Sequence, residues 1–190
     1  MMRRILGVAA AAGLAAAVAG PADASGAKFE PTLEAAPERL GLRSSGTAYY
    51  AGVIRVYDAA LYAPAGSSSA SVVAGTVPRC LVLAYRRDVT RDLIVEAATK
   101  VLERQGVASG ALGAPLERLH AAYRDVRAGD RYRLCHAPGR KAELSLNGEV
   151  LAREGGDAFA AAYFGIWLRD GAISETLREA LLSEASTPAS

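Results

Sequence analysis

The chain has 190 residues, 51% hydrophobic and 22% charged, with a formal net charge of +2. That length supports one domain with a sizeable core. The cations are scattered, as at Arg86–Arg87 and Arg140–Lys141, rather than gathered into a stripe, which argues against a nucleic-acid partner. His120 and His136 are the only imidazoles and no carboxylates cluster, so no metal and no other cofactor is expected.

The chain opens as an export signal. Arg3 and Arg4 precede the apolar run Ile5–Val18, and Ala22-Asp23-Ala24 places small residues where a signal peptidase reads, predicting cleavage after Ala24. A membrane anchor needs about 20 apolar residues, and Pro21 and Asp23 cut this run short. No later apolar segment reaches spanning length, so the expectation is a periplasmic or secreted protein with no integral membrane segment once residues 1–24 are removed. Residues 25–39, with Pro31 and Pro37, read as a tether. Residues 40–184 read as the folded domain and 185–190 as a tail. Nothing in the pattern specifies an oligomeric state.

Within the domain, Thr47 to Tyr62 is rich in Tyr, Val and Ile, which suits one long strand or a hairpin bent near Gly52. Pro64 to Ser71 reads as a surface loop and Cys80 to Tyr85 as a short strand. The period then changes. Leu93, Ile94, Ala97, Ala98, Val101 and Leu102 recur at helical spacing, with Thr90 as N-cap and Gly106 as stop. A second helix is predicted over Leu116 to Val126, and Gly129-Asp130 marks a turn.

Strands follow over Tyr132 to His136 and Ala142 to Leu146, joined at Pro138-Gly139. Asn147-Gly148 is a hairpin signal leading into Val150 and Leu151. Phe159 to Leu168 is an apolar helix in which Trp167 reads as core, and Ser174-Glu175 opens a last helix. Strands linked by tight turns, with helices between and after them, predict an α+β domain: a large antiparallel β-sheet backed by a layer of helices.

Several segments together resemble the chalcone isomerase-like family of exported bacterial proteins. They are Val56-Tyr57-Asp58-Ala59-Ala60-Leu61-Tyr62, Gly129-Asp130-Arg131-Tyr132, Pro138-Gly139, Leu146-Asn147-Gly148, Phe164-Gly165-Ile166-Trp167-Leu168 and Leu181-Leu182. The resemblance implies a ligand cleft between sheet and helices. Plant members of the fold cyclise chalcones without metal or cofactor, whereas other relatives bind fatty acids or assist without catalysis. The fold alone does not choose between these.

Carried over by resemblance, the arginine of the catalytic members falls near Ser45, with Arg43 two positions away and Tyr49 or Tyr50 as the alternatives. Their water-ordering threonine maps to Tyr57, the helix tyrosine near Thr90, the helix asparagine near Ala97 and the last threonine near Ile166. Alanine and isoleucine cannot hold a water by the side chain, and each lost donor costs a few kcal/mol of transition-state stabilisation. Candidate catalytic residues are therefore Arg43 and Tyr57 alone. The candidate ligand-binding set is Tyr49, Tyr57, Asp58, Thr90, Ala97 and Ile166. Asp58 is either a cleft-facing base or anchor, or the partner of Arg55 or of a backbone N–H.

Cys80 lies near the start of its strand and Cys135 near the end of its own. If those strands pair antiparallel the two face each other within disulfide reach; otherwise they are separate buried thiols. The leading expectation is a periplasmic binder of a small apolar ligand, fatty acyl or aromatic. The alternative is an isomerase or intramolecular lyase using Tyr57 as hydroxyl and Arg43 as anion clamp. A third is an interaction protein whose cleft is closed by side chains.

Overall fold

A computed structural model describes residues 27–35, 38–107 and 109–183. The expected signal segment 1–24 and the tail 185–190 lie outside them. Seven strands form one antiparallel sheet in chain order: β1 (Thr32–Ala35), β2 (Glu38–Tyr50), β3 (Ile54–Ala63), β4 (Arg79–Tyr85), β5 (Arg131–His136), β6 (Ala142–Leu146) and β7 (Glu149–Glu154). Five helices interrupt or follow them: α1 (Ser69–Ala74), α2 (Arg91–Arg104), α3 (Ser109–Ala122), α4 (Asp157–Leu168) and α5 (Glu175–Leu182). This is the predicted helix-backed antiparallel sheet.

Local chemistry sets the joints. The Tyr-rich segment is a hairpin, turned at Ala51 and Gly52 with φ of 50° and 74°. Asn147 and Gly148, at φ 50° and 90°, make the two-residue turn whose twist matches its flanking strands. The Thr90 and Ser174 side chains accept from the Leu93 and Leu177 N–H groups and cap α2 and α5.

Three stretches depart from the sequence reading. The segment expected to be a tether contains β1, whose Leu33 packs with Phe29, Leu40, Tyr62 and Val82 on the sheet face away from the helices. The expected surface loop gives way at Ser69 to α1, capped by Ser68 and closed by Gly75 at φ 75°. The second helix ends at Ala122 rather than Val126, because Val126 exchanges backbone hydrogen bonds with Val89. Its start is also earlier: α3 is broken at Gly113 (φ 51°, ψ −148°), and Pro115 opens the second half, where its missing N–H costs nothing.

The alternation of β3 serves both faces. Tyr57, Ala59, Leu61 and Ala63 point to the main core with Leu81, Leu83, Leu102, Leu119, Phe164 and Leu177. Ala60 and Tyr62 point the other way, into the smaller cluster around Cys80. We call these the inner and outer faces. Each large apolar side chain fully buried between sheet and helices contributes about 1.5–3 kcal/mol.

Candidate functional site

Adjacent strands bring one tyrosine each to the inner face. Tyr57 pairs in register with Tyr85, and Leu83 with Tyr132, leaving ring centroids 5.5 Å (Tyr57–Tyr85) and 6.1 Å (Tyr85–Tyr132) apart. The helices close over them. Tyr123, just beyond α3, meets Tyr132 edge-on at 5.0 Å. Tyr163, one α4 turn from Phe159 and from Trp167, contacts both rings, as i, i+4 spacing dictates.

Two hydrogen bonds tie the cluster together. The Trp167 Nε1–H donates to the Tyr57 hydroxyl at 3.1 Å, and the Tyr163 hydroxyl to that of Tyr123 at 3.1 Å. Tyr57 is only 6% exposed. Burial pushes its phenol up to about 12, against a smaller opposing effect of the Trp167 hydrogen bond. Burial also raises Tyr85, Tyr123 and Tyr163. These rings form a packed, buried aromatic cluster that disfavours charge. His120 on α3 borders it, 5.9 Å from the Tyr163 ring, with its Nε2 buried and unpartnered among the described residues.

The structure distributes the sequence candidates differently. Arg43 sits in a β2 bulge between Leu42 and Ser44. It donates to the Ser67 carbonyl and, at 2.7 Å, to Ser69 Oγ. Tyr57 pairs with Ala48, whereas Ser44 pairs with Leu61, so four strand residues, about 13 Å, separate Arg43 from Tyr57. The two do not meet, and the expected clamp is not assembled.

Asp58 faces outward, opposite Tyr57. It accepts from Thr47 Oγ1 at 2.8 Å, Arg55 Nη2 at 2.6 Å, Arg86 Nε at 2.7 Å and the Ala27 N–H at 2.7 Å. Burial raises its carboxyl, but these bonds outweigh it and hold the group below its usual range. Its role is to fasten the N-terminal segment across the hairpin, not to line the interior. Thr90 is a helix cap. Tyr49 and Tyr50, 52% and 70% exposed, stand at the hairpin end rather than in the interior. Ile166 is fully buried in the main core with Tyr57, and Ala97 is half-buried on α2.

The residues that sequence reasoning missed are Tyr85, Tyr123, Tyr132 and Tyr163. A register argument from the strand ends would have aligned Tyr57 with Tyr85. The helix partners carried only the α4 periodicity as a signal. Cys80 and Cys135 face each other in register and form a disulfide, with Cα atoms 4.1 Å apart, on the outer face. Among the described residues no His, Cys, Asp and Glu group is arranged to hold a metal, and no helix is long and apolar enough to cross a membrane.

A seven-stranded antiparallel sheet whose inner face is sealed by helices over an aromatic interior defines the class of fold. A chalcone isomerase-like family model matches residues 21–183, and the chain belongs to that family. Among solved structures it is similar to a fatty-acid binding protein from Arabidopsis thaliana. The TM-score is 0.63 at 12% identity, over 81% of this chain and 90% of that one. At that identity the likeness concerns the fold. No curated protein sequence matches the chain significantly.

Proposed function

We propose that this protein is a non-catalytic binder of a small apolar ligand, fatty acyl or aromatic, held between the sheet and the helices. The observation that carries the reading is the interior around Tyr57. Its phenol is held neutral by burial, which outweighs the opposing pull of the Trp167 N–H, Arg43 is engaged elsewhere, and the resemblance places Ala97 and Ile166 where catalytic relatives carry polar groups. Isomerisation of the family type needs a cation beside the reacting phenolate and donors at the developing enolate. An apolar ligand needs only aromatic and aliphatic walls with a few polar groups to orient it, and His120 Nε2 is such a group.

Similarity to a fatty-acid binding protein supports this choice. We place the activity in the periplasm, supported by the export pattern of residues 1–24 and by a disulfide of the kind that persists in oxidising compartments. The test is native mass spectrometry of the protein purified from its own periplasm, followed by solvent extraction. A stoichiometric adduct identified as a lipid or aromatic compound is the expected result. A clean apo mass under repeated gentle conditions overturns the reading.

A further inference from the structure

A second concavity lies beside the disulfide, at the end of the sheet where the β1–β2 hairpin approaches the β5–β6 loop. The cleft measures about 580 Å³, within the size range of small-molecule sites. Its floor is apolar: Ala35, Pro78, Cys135 and Ala137, with Leu40 and Cys80 buried beneath them. Leu40 and Cys80 belong to the outer cluster, so this cleft is separate from the aromatic interior.

Its wall carries more cations than carboxylates. Two lining carboxylates are already taken: Glu143 by Arg153 at 2.7 Å, and Glu34 by Arg39 at 2.6 Å. Glu154, on which Lys141 acts electrostatically, is held by Arg118 through two 2.9 Å hydrogen bonds. Arg133, Arg140 and Lys141 all line the cleft and have no carboxylate within salt-bridge distance among the described residues. Cations gathered round a concave, low-dielectric wall focus a positive potential on whatever enters. Guanidinium groups match carboxylate and phosphate oxygens in two-point geometry.

We propose that this cleft binds a small amphiphilic anion, its phosphate or carboxylate head against Arg133, Arg140 and Lys141 and its hydrocarbon body over Pro78, Cys135 and Ala137. The cations recognise the head, and the apolar floor distinguishes such a molecule from a bare ion. The site is independent of the ligand proposed for the aromatic interior.

The test is a backbone-amide NMR titration of the whole mature protein with octyl phosphate, inorganic phosphate and octanol in parallel. Octyl phosphate is expected to shift the amides of residues 133–141 saturably, about ten-fold more tightly than either control. Its binding weakens as salt rises from about 50 to about 500 mM. Arg140→Gln/Lys141→Gln, both at exposed positions, is expected to weaken it by about ten-fold with the fold intact.

Unmoved amides at 133–141 overturn the proposal, as does an unchanged affinity in the double variant. Equal binding of inorganic phosphate means an adventitious ion only, and equal binding of octanol means greasy contact without head recognition; either also overturns it. Shifts confined to the Tyr57 and Tyr163 surroundings would bear on the interior site alone.

Discussion

The two faces of the sheet are held by different physics. The inner face is sealed by rings and aliphatic side chains; around Tyr57 its polar atoms are neutral hydroxyls, an indole N–H and an imidazole. The buried Arg79 guanidinium at the other end of β4 is held by the Val72 and Val73 carbonyls and the Phe164 ring. The outer face is fastened by discrete ties: the Asp58 carboxylate with four donors, and the Cys80–Cys135 bridge beneath the N-terminal strand. Area burial tolerates small local changes and excludes charge. Point ties tolerate neither loss of a partner nor a change of protonation. The inner face is thus held together by packing, and the outer face by ties that clamp the chain's beginning onto the sheet.

Removing the covalent tie should have the largest effect. Cys80→Ala/Cys135→Ala releases a loop of 55 residues and is expected to lower stability by about 4 kcal/mol, read from urea unfolding. A loss below about 1 kcal/mol would mean that burial alone carries the outer face.

Next comes Asp58→Ala, which removes the buried acceptor shared by Thr47, Arg55, Arg86 and the Ala27 N–H. A cost of about 3 kcal/mol is expected, with faster amide exchange from residue 27 to Ala35. Unchanged exchange there would detach Asp58 from the clamping role.

The faces should also fail at opposite ends of the pH scale. The Asp58 carboxyl is depressed in the folded state, so its contribution is present above the unfolded value of about 3.9 and is lost as pH falls below it. Tyr57 is raised to about 12. Its contribution is complete below the unfolded value of about 10 and is lost as pH climbs from there towards 12. Asp58→Asn should flatten the acid limb and leave the alkaline limb in place, measured by circular dichroism. A variant that shifts both limbs would show the two faces to be coupled.

A smaller effect is expected for Tyr57→Phe, which leaves the Trp167 N–H without its acceptor at a cost of about 1–3 kcal/mol and should retain any co-purifying apolar ligand. Abolished retention would make the hydroxyl part of the binding contact. Smallest of all, Tyr50→Ser at the exposed hairpin end should change stability by less than about 0.5 kcal/mol and leave ligand retention unchanged. Lost retention would return the hairpin to the site.

Much of this was legible in the residues. The order and type of the long elements, the caps at Thr90 and Ser174, the Asn147-Gly148 turn and the facing cysteines follow from period, turn chemistry and strand ends, each a matter of a few neighbouring residues. The site was less legible. Tyr57 and Ile166 lie in the main core, Asp58 follows the reading that pairs it with Arg55 and a backbone N–H, and Arg43, Tyr49 and Thr90 lie away from the aromatic cluster.

What the sequence by itself determined was therefore the long elements and their antiparallel pairing, because hydrophobic alternation and turn residues act locally. Tertiary structure alone decided which side chains share a space. One bulge between Leu42 and Ser44 turns Arg43 towards α1, since the strand's two-residue alternation makes any single insertion redirect a side chain. Leu33 became a strand residue only because Phe29, Leu40 and Tyr62 offered it a surface. The aromatic interior closed only when α4 and the end of α3 laid Tyr123, Tyr163 and Trp167 over three neighbouring strands, joining residues as far apart as Tyr57 and Trp167, which no local pattern encodes.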